Sequence, residues 1–570
     1  MGEAIHQCLG NGQHRLYGAF RLRRLRTAFL YVCPPQNCMF RCLGSLASLT
    51  IGLFAVVALV APPRPCTAAP PAPNIIFVLC DDHRFDCLGS MGHPFLETPH
   101  LDRLVERGVM MRRAYVTTSL CSPSRASILT GLYAHNHGVI DNYHPVDPKL
   151  EFFPSTLQKL GYQTAFVGKW HMGDTDSPVD AFDHWVSFRG QGVYFPDGHG
   201  TTRRVPQADP TGLNINGRRV PQRGYITDEL TRYSIDWLKQ RNDDRPFFLY
   251  LSHKAVHADF VPADRHRGRY DDEPMPIEVP SVQQTIAGDK PMWVRNQRNS
   301  RHGVDFGYNL PNFQPDVYYR RYCESLLAVD ESIGRLHQTL DELNVADNTI
   351  VIYMGDNGFQ FGDHGLIDKR TAYEASARVP LIFAGPGIDG GRRDDTLVAN
   401  IDIGPTIVDL ASGGKTDPNA GTGDAPTVDG LSFAANLSRS GAPDSSRGGA
   451  PEIRRHLLYE YYWERNYPHT PTLHAVIGDR FKYIRCHGLW DANELYDLKN
   501  DPGEKNNLIF APEHAERIRS MNQTLWELIQ NSGGESVPLL EDRGPVFPAR
   551  DPGAAPQAKF PDEYLIDPLR

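Results

Sequence analysis

Residues 74–82 read NIIFVLCDD, and this stretch decides the fold class. Its first seven residues, Asn74–Cys80, form a short apolar run of the kind found in strands buried on both faces of a parallel sheet. Similar apolar runs recur at 164–167, 247–251, 349–354 and 380–384. Helical patterns occur between them, at 154–160, 227–239 and 316–343. This alternation predicts an α/β fold with a large, mainly parallel sheet flanked by helices.

The chain is predicted to begin with a signal-peptide region at 1–70. LTIGLFAVVALVA, at 49–61, has the length of a signal-peptide core, and Met39 begins a stretch that is complete as a signal by itself, so we expect translation to start there. The predicted parts after it are a domain that holds the sheet, a smaller α+β domain with an antiparallel sheet, and an extended tail, at 71–440, 441–545 and 546–570.

The apolar run at 49–61 also predicts where the protein works. It is shorter than the roughly 20 residues that a membrane-spanning helix needs. We therefore expect the protein to be exported, to the periplasm or the medium, without stable insertion of the mature chain in a membrane. An uncleaved N-terminal anchor is the alternative.

The composition excludes several classes of function. The chain has 59 Lys and Arg against 68 Asp and Glu, a formal net charge of −9, and 10% of its residues are aromatic. That aromatic content is typical of a folded globular protein rather than a disordered one. A mildly acidic chain is a poor partner for nucleic acid, which attracts basic surfaces. If the protein handles an anion, a local cluster of cations has to hold it.

The predicted mature chain keeps an odd number of cysteines. They are Cys80, Cys87, Cys121, Cys323 and Cys486. An odd cysteine in an exported protein indicates a special role for one of them. Five are too few for a disulfide-built scaffold of this length, and the sequence leaves open whether any of the others pair.

Acidic and amide side chains follow two of the predicted strands. Asp81 and Asp82 come directly after the first strand, and Asp356 and Asn357 follow the strand at 349–354. Adjacent carboxylates repel each other unless a cation holds them, and hard divalent cations prefer oxygen ligands. The four residues predict a Ca²⁺ or Mg²⁺ site. The alternative for each pair is ordinary turn chemistry.

The segment CSPSR, at 121–125, is the most informative in the chain. Pro123 suits the first turn of a helix, which puts Cys121 at a helix N-terminus, where the dipole favours an anion. Arg125 lies four residues further on and can return toward the same point. By its chemistry alone Cys121 is either a thiolate nucleophile of low pKa or a buried structural cysteine.

Further basic residues follow other predicted strands. Lys169 and His171 come after the strand at 164–167, His257 follows the strand at 247–251, and Lys369 precedes the strand at 380–384. Ligands of parallel α/β sheets gather beyond the carboxyl ends of the strands. Cations and metal-binding oxygens that converge there predict a pocket for a tetrahedral anion.

In their order, these segments resemble the type I sulfatases of the alkaline-phosphatase superfamily. The resemblance extends from about residue 74 to about residue 508. Its motifs are DD at 81–82, CSPSR followed by TG at 121–131, GKWH at 168–171 and DNG at 356–358. Two more are K followed by YE at 369–374, and ELYDL followed by DP, E and NL at 494–508.

The resemblance implies an alkaline-phosphatase-like fold and a defined chemistry. Cys121 would be oxidised before folding to formylglycine by a formylglycine-generating enzyme, which would account for the odd cysteine. One oxygen of the hydrated aldehyde would attack sulfur. The implied ligands of one Ca²⁺ are Asp81, Asp82, residue 121, Asp356 and Asn357.

The resemblance also implies roles for the basic residues. Arg125, Lys169 and Lys369 would balance charge on the sulfuryl oxygens. His257 is similar to the general acid that protonates the leaving alcohol, and His171 to the base that expels sulfate. The two histidine roles could be exchanged, and the sequence leaves this open.

The strings SHKAVHADF, GDNGFQFGDHGL and CHGLWDANELYDL, at 252–260, 355–366 and 486–498, resemble bacterial sulfatases of sulfated glycans, including N-acetylglucosamine-6-sulfatases. A broad arylsulfatase, a phosphonate or phosphodiester hydrolase, and a sulfated-glycan binding protein with unmodified Cys121 are the alternatives. We expect His487, Trp490 and Asp491 to contact the sugar. Packing is the alternative role for this segment.

Overall fold

The structure, a computed structural model, describes most of the chain from residue 72 onward. The described residues are 72–200, 212–278, 289–297, 314–417, 428–438, 453–465, 467–468, 470–487, 491–538 and 540. They all belong to one compact unit. The expected signal region, the tail at 546–570 and the boundary near residue 440 lie outside these residues, and they stay predictions.

A ten-stranded mixed sheet forms the centre of the molecule, with the order β12-β2-β11-β8-β1-β7-β3-β4-β5-β6. The strands are β1 (Asn74–Cys80), β2 (Gly108–Tyr115), β3 (Gln163–Lys169), β4 (His184–Phe188), β5 (Leu213–Ile215), β6 (Arg218–Val220), β7 (Phe247–Ser252), β8 (Thr349–Gly355), β11 (Leu381–Ala384) and β12 (Arg392–Ala399). The short strands β9 (Gln360–Phe361) and β10 (Ile367–Asp368) pair separately.

The sheet is mainly parallel, as the sequence predicts. β1 lies parallel to β7 on one side and to β8 on the other, with Val78 opposite Leu251 and Tyr353. β11 is the exception among the strands expected from the sequence, because it runs antiparallel to β8 and β2. A short buried strand has the same apolar pattern in either direction, so the sequence could not show its orientation.

Helices cover both faces of this sheet. Those in its two cores are α1 (Pro99–Arg107), α2 (Cys121–Thr130), α4 (Phe153–Lys159), α5 (Ile226–Gln240), α7 (Pro315–Glu342) and α9 (Ile403–Ser412). The other helices of the described residues are α3 (Ala134–His137), α6 (Met292–Gln297), α8 (Glu374–Ala377) and α10 (Ala515–Ser532). Among the described residues, no helix combines the length and the apolar character needed to cross a membrane.

Alternate residues of β1 enter two different cores. Ile76 and Val78 pack in the core that includes residues of α1, α5 and α7. Ile75, Phe77 and Leu79 pack on the other face, in the core that includes residues of α2, α4 and α9. The continuous apolar run of β1 is therefore explained by burial on both faces.

A second, antiparallel sheet has the order β13-β14-β15-β16. Its strands are β13 (Leu457–Tyr461), β14 (Thr472–Ile477), β15 (Phe481–His487) and β16 (Glu494–Asp497). Leu525 and Ile529 of α10 belong to the same apolar core as this sheet. The smaller antiparallel sheet predicted from the sequence is thus confirmed.

Candidate active site

Cys121 is the first residue of α2 and has no solvent exposure. Its Sγ atom lies 2.9 Å from Lys369 Nζ, 3.7 Å from Lys169 Nζ and 3.4 Å from Asp81 Oδ1. Burial and the nearby Asp81 carboxylate raise the pKa of the Cys121 thiol to about 12. The alternative of a low-pKa thiolate at a helix N-terminus is therefore not supported for the unmodified residue.

The acidic residues meet because β1 and β8 end side by side. Cys80 lies opposite Gly355 in the parallel pair, so the residues that follow each strand are neighbours. The Asp356 N–H donates to Cys80 O at 3.0 Å, and the Asp82 N–H donates to Asp356 Oδ1 at 2.9 Å. The Asn357 amide donates to Asp82 Oδ1 at 2.6 Å. The two pairs predicted from the sequence thus form one cluster.

The cluster fits a hard divalent cation. One ligand atom each from Asp81, Asp82 and Cys121 lies within 4.8 Å of the other two. Asp82 Oδ2 and Asn357 Oδ1 are buried and have no hydrogen-bond partner among the described residues. Buried oxygens are normally paired, and carboxylate and amide oxygens are the ligands that Ca²⁺ and Mg²⁺ prefer.

Burial acts against the ionised form of the carboxylates in this cluster. Burial and the charge of Asp81 raise the pKa of Asp356 to about 7, and burial raises the pKa of Asp82 despite Lys369. Burial opposes the ionisation of Asp81 as well, but Lys169 and other cations outweigh it and hold its pKa well below the ordinary value. A bound cation would favour the ionised form of all three groups.

Three basic side chains balance these three carboxylates. Lys169 Nζ contacts Asp81, and Lys369 Nζ contacts Asp82. Arg125 Nη2 lies 2.8 Å from Asp356 Oδ2 and 3.7 Å from Asp81 Oδ2. With a divalent cation added, the formal charge of the group becomes positive. The site is then suited to an anion.

Arg125 is held by several partners at once. Its Nε and Nη2 atoms donate to Asp356 Oδ2 at 3.0 and 2.8 Å, and Nη1 donates to Lys169 O and to Ser252 Oγ at 2.7 and 2.6 Å. In this arrangement Arg125 orients Asp356 and the end of β3. Its contact with sulfuryl oxygens stays a prediction.

Lys169 reaches the site through a close approach of two strands. Gly168, with φ of 130°, precedes it, and a Cβ atom there would lie 1.8 Å from Ser252 O of the neighbouring β7. Only glycine fits that contact. The GK pair of the motif at 168–171 is therefore explained by strand packing as well as by charge.

His171 and His257 are both buried. Burial and Lys169 lower the pKa of each imidazole well below its ordinary value. His257 Nδ1 lies 2.6 Å from Ala258 O and donates to it, which leaves Nε2 as the acceptor. Hydrogen bonds of the Asp81 backbone with Ala255 and Val256 hold the His257 loop beside the acidic cluster.

Other residues contact the site without having been expected. Ser252 receives a hydrogen bond from Arg125, and Asn142 Oδ1 accepts from the Ser122 N–H at 3.1 Å. Gln191 Nε2 lies 3.2 Å from His171 Nε2. Ser252 directly follows the strand predicted at 247–251 and could have been found by that criterion. Asn142 and Gln191 lie in loops that carry no such signal.

The residues expected to contact the sugar have other partners here. His487 Nε2 lies 3.0 Å from His474 Nδ1, at the end of β15. The Asp491 carboxylate accepts from the N–H groups of Met292 and Trp293 and so caps α6. Trp490 lies outside the described residues. Contact of these three residues with a sugar stays a prediction.

The remaining cysteines of the described chain are buried free thiols. They are Cys80, Cys87, Cys323 and Cys486. In this structure, no disulfide joins the cysteines of the described chain. Cys121 differs from these four in its contacts with two lysine Nζ atoms.

Two protein-family models match the chain. The model described as Sulfatase matches residues 73–414, and the model described as N-sulphoglucosamine sulphohydrolase, C-terminal, matches residues 362–531. The first spans the central sheet and the site around Cys121. The second spans the antiparallel sheet and most of α10.

Proteins of similar sequence are named as sulfatases. An N-acetylglucosamine-6-O-sulfatase of Bacteroides thetaiotaomicron is 31% identical over 511 residues, which cover 80% of this chain and 86% of the relative. The N-acetylglucosamine-6-sulfatase of Homo sapiens is 30% identical over 571 residues, covering 90% and 92%. A protein solved in complex with its substrate D-glucosamine-2-N,6-O-disulfate superposes with a TM-score of 0.69 at 27% identity, covering 82% of this chain and 100% of that one.

Proposed function

The chain belongs to the sulfatase family and is a sulfuric ester hydrolase, and from that premise we propose that it removes 6-O-sulfate from N-acetylglucosamine-type units of a sulfated glycan. The observation that carries the proposal is Cys121, wholly buried between two lysines and a cluster of carboxylates. The names of the relatives support the choice of sugar.

We further propose that Cys121 is converted to formylglycine. Because the thiol is wholly buried, a formylglycine-generating enzyme would have to act before the chain folds. The hydrated aldehyde would supply an oxygen nucleophile and a second hydroxyl, whereas the unmodified thiol, with its raised pKa, is a weak nucleophile.

One Ca²⁺ would be held by Asp81, Asp82, Asp356 and Asn357 together with the side chain of residue 121. The two buried oxygens without partners support this assignment. When bound, the cation would supply Lewis-acid stabilisation of charge on the sulfuryl oxygens. Lys169 and Lys369, with their Nζ atoms beside Cys121, would donate hydrogen bonds to the same oxygens.

The two histidines would transfer protons. His257 would protonate the leaving alcohol through Nε2, which would first take up a proton from solvent, since the Nδ1 proton is engaged by Ala258 O. His171 would take a proton from the second hydroxyl. Export with removal of residues 1–70, a domain boundary near residue 440 and sugar contacts by His487, Trp490 and Asp491 are also part of the proposal.

The substrate class is tested by a panel of esters. Protein co-expressed with a formylglycine-generating enzyme is assayed for sulfate release from N-acetylglucosamine 6-sulfate, from other sulfated sugars and from 4-nitrophenyl sulfate. Phosphate and phosphonate esters of matching alcohols complete the panel. We expect kcat/KM to be highest for the 6-sulfated sugar, by at least about tenfold, because a polar pocket discriminates strongly among sugars.

Each alternative predicts a different result of this panel. A preference for the aryl ester indicates a broad arylsulfatase. Faster release of phosphate or phosphonate indicates the other hydrolase class. Tight binding of sulfated glycan without release of sulfate from any ester would indicate a binding protein.

The histidine roles predict opposite leaving-group effects. His257→Ala should lower kcat/KM on a sugar sulfate by roughly 10²- to 10⁴-fold, and by much less on 4-nitrophenyl sulfate, because nitrophenolate leaves without protonation. His171→Ala should lower kcat on both substrates alike. His184→Ala, a change of a half-buried histidine in β4, is the control and should leave both rates unchanged.

If instead His171→Ala affects mainly the sugar sulfate and His257→Ala affects both substrates alike, His171 is the general acid and His257 the base. Equal losses on both substrates in both variants would contradict general acid catalysis by either histidine.

A further inference from the structure

The motif ELYDL followed by DP, E and NL, at 494–508, has no task in the proposed reaction. We infer that Glu494 and Glu504 of this motif, together with Lys482, form a positioning cluster that fixes residues 369–377 and, through them, Lys369 and the Asp356–Asn357 loop. The inference rests on the proposed roles of Lys369 and the acidic cluster. Lys482, Glu494 and Glu504 are called the positioning cluster below.

Lys482 is the centre of this cluster. It lies on β15 opposite Tyr496 of β16, is wholly buried, and its Nζ atom has three partners. It donates to Ala372 O at 2.7 Å, to Glu374 Oε1 at 2.7 Å and to Glu504 Oε1 at 2.8 Å. An ammonium group has three hydrogens, so every donor is used. Burial of a lysine in this way is costly unless its geometry is fixed.

The two glutamates hold the neighbouring residues of the same segment. Glu504 Oε2 accepts from the Glu374 N–H at 2.7 Å, at the start of α8. Glu494 Oε2 accepts from the Tyr373 hydroxyl at 2.6 Å. Ala372, Tyr373 and Glu374 are consecutive, and each is bound by a member of the positioning cluster. The second sheet therefore determines where this segment lies.

The other side of the segment packs on the acidic loop. The Gly358 N–H donates to Ser376 O at 2.8 Å. A Cβ atom on Gly358 would lie 2.1 Å from Ala375 O, so the two backbones are in direct contact. Gly358 immediately follows Asp356 and Asn357. A shift of residues 375–376 would consequently move the cation ligands.

The segment also begins at the catalytic lysine. Lys369 lies three residues before Ala372, and its Nζ atom is 2.9 Å from Cys121 Sγ. The Arg370 N–H donates to Ser119 O at 3.0 Å, just before α2. One stretch of nine residues thus joins the positioning cluster to both Lys369 and the loop of Asp356 and Asn357. Through this stretch, a motif that begins in the second sheet would affect the chemistry at the edge of the first.

The inference predicts that loss of the cluster weakens cation binding and turnover together. Glu504→Gln keeps the size of the side chain and an oxygen acceptor, but removes one of the two carboxylate charges that face Lys482, the other being that of Glu374. We expect its Ca²⁺ dissociation constant to rise and its kcat to fall, each by about 10- to 100-fold, the effect typical of residues that orient metal ligands. Gly358→Ala, at the contact itself, should give the same two losses.

Asp330→Asn is the matched control. Asp330 lies in α7, is 3% exposed, and accepts the N–H groups of Leu101 and His100 at 2.8 and 3.1 Å. Like Glu504, it is a buried carboxylate that receives two donors. Its neutral variant should lower Tm by a similar amount while it leaves the Ca²⁺ affinity and kcat unchanged.

Each full-length variant is treated with chelator and then titrated with Ca²⁺ alone, and calorimetry gives its dissociation constant. Tm is measured with and without Ca²⁺. Finally, kcat is measured at a temperature well below Tm. If Glu504→Gln and Gly358→Ala lower Tm but leave Ca²⁺ affinity and kcat unchanged, the cluster has only a structural role. That result would overturn the inference. The titration needs no turnover. Wild-type protein that binds no Ca²⁺ would therefore contradict the proposed function instead.

Discussion

Replacement of Cys121 by Ala should abolish turnover, with a loss of roughly 10⁴- to 10⁶-fold in kcat, the range seen when a catalytic nucleophile is removed. The fold should survive. Cys121 begins α2, and alanine is well tolerated there, so we expect Tm to change by only a few degrees. The kinetics of purified protein and its thermal unfolding curve check both expectations.

Two further measurements make this result specific. Cys323→Ala changes another buried free thiol and should retain full activity. In active wild-type protein, mass spectrometry of the peptide that contains residue 121 should show an aldehyde or its hydrate. Undiminished sulfate release by Cys121→Ala would contradict the proposed nucleophile.

Removal of Ca²⁺ should have the second largest effect. A chelator should reduce kcat by at least about 10²-fold, because charge on the sulfuryl oxygens then loses its Lewis acid. It should also lower Tm, since Asp81, Asp82 and Asp356 are left crowded in a buried site. Ca²⁺ at a hundred times its dissociation constant would stabilise the fold by about 2.7 kcal/mol.

Re-addition of metals identifies the cation. Ca²⁺ should restore both activity and Tm, whereas Zn²⁺ should restore little, because the site offers oxygen ligands and no imidazole among its proposed donors. Full activity in excess chelator would contradict a cation-dependent mechanism. Restoration by Zn²⁺ alone would contradict the proposed choice of metal.

The fold could be predicted wherever burial leaves an unbroken apolar pattern. The predicted bounds of β1 agree with the structure because both faces of that strand enter apolar cores. β2 was not predicted, since its sequence GVMMRRAY places Arg112 and Arg113 at less buried positions in mid-strand. β5 and β6 are three residues each, too short to give a pattern.

The candidate site was predictable where strand ends determine it. Asp81 and Asp356 could be placed together, since parallel neighbours finish at one edge of a sheet. Asn142 reaches Ser122 from a loop, and no local pattern encodes that contact. The burial of Lys482 could not be predicted either, because its three partners, at 372, 374 and 504, are distant from it in the sequence.

The strand order β8-β1-β7-β3 has a consequence for how this protein could diverge. These four neighbours end at Gly355, Cys80, Ser252 and Lys169, next to the groups proposed for the chemistry. Strands of one sheet lie about 4.8 Å apart, so backbone hydrogen bonds set the spacing of Asp81 and Lys169, which lie at the ends of these strands. Loop sequences around the rim are then free to vary under selection. New sugar preferences could arise by loop exchange, and an engineer could graft such loops, while the reacting centre is inherited unchanged.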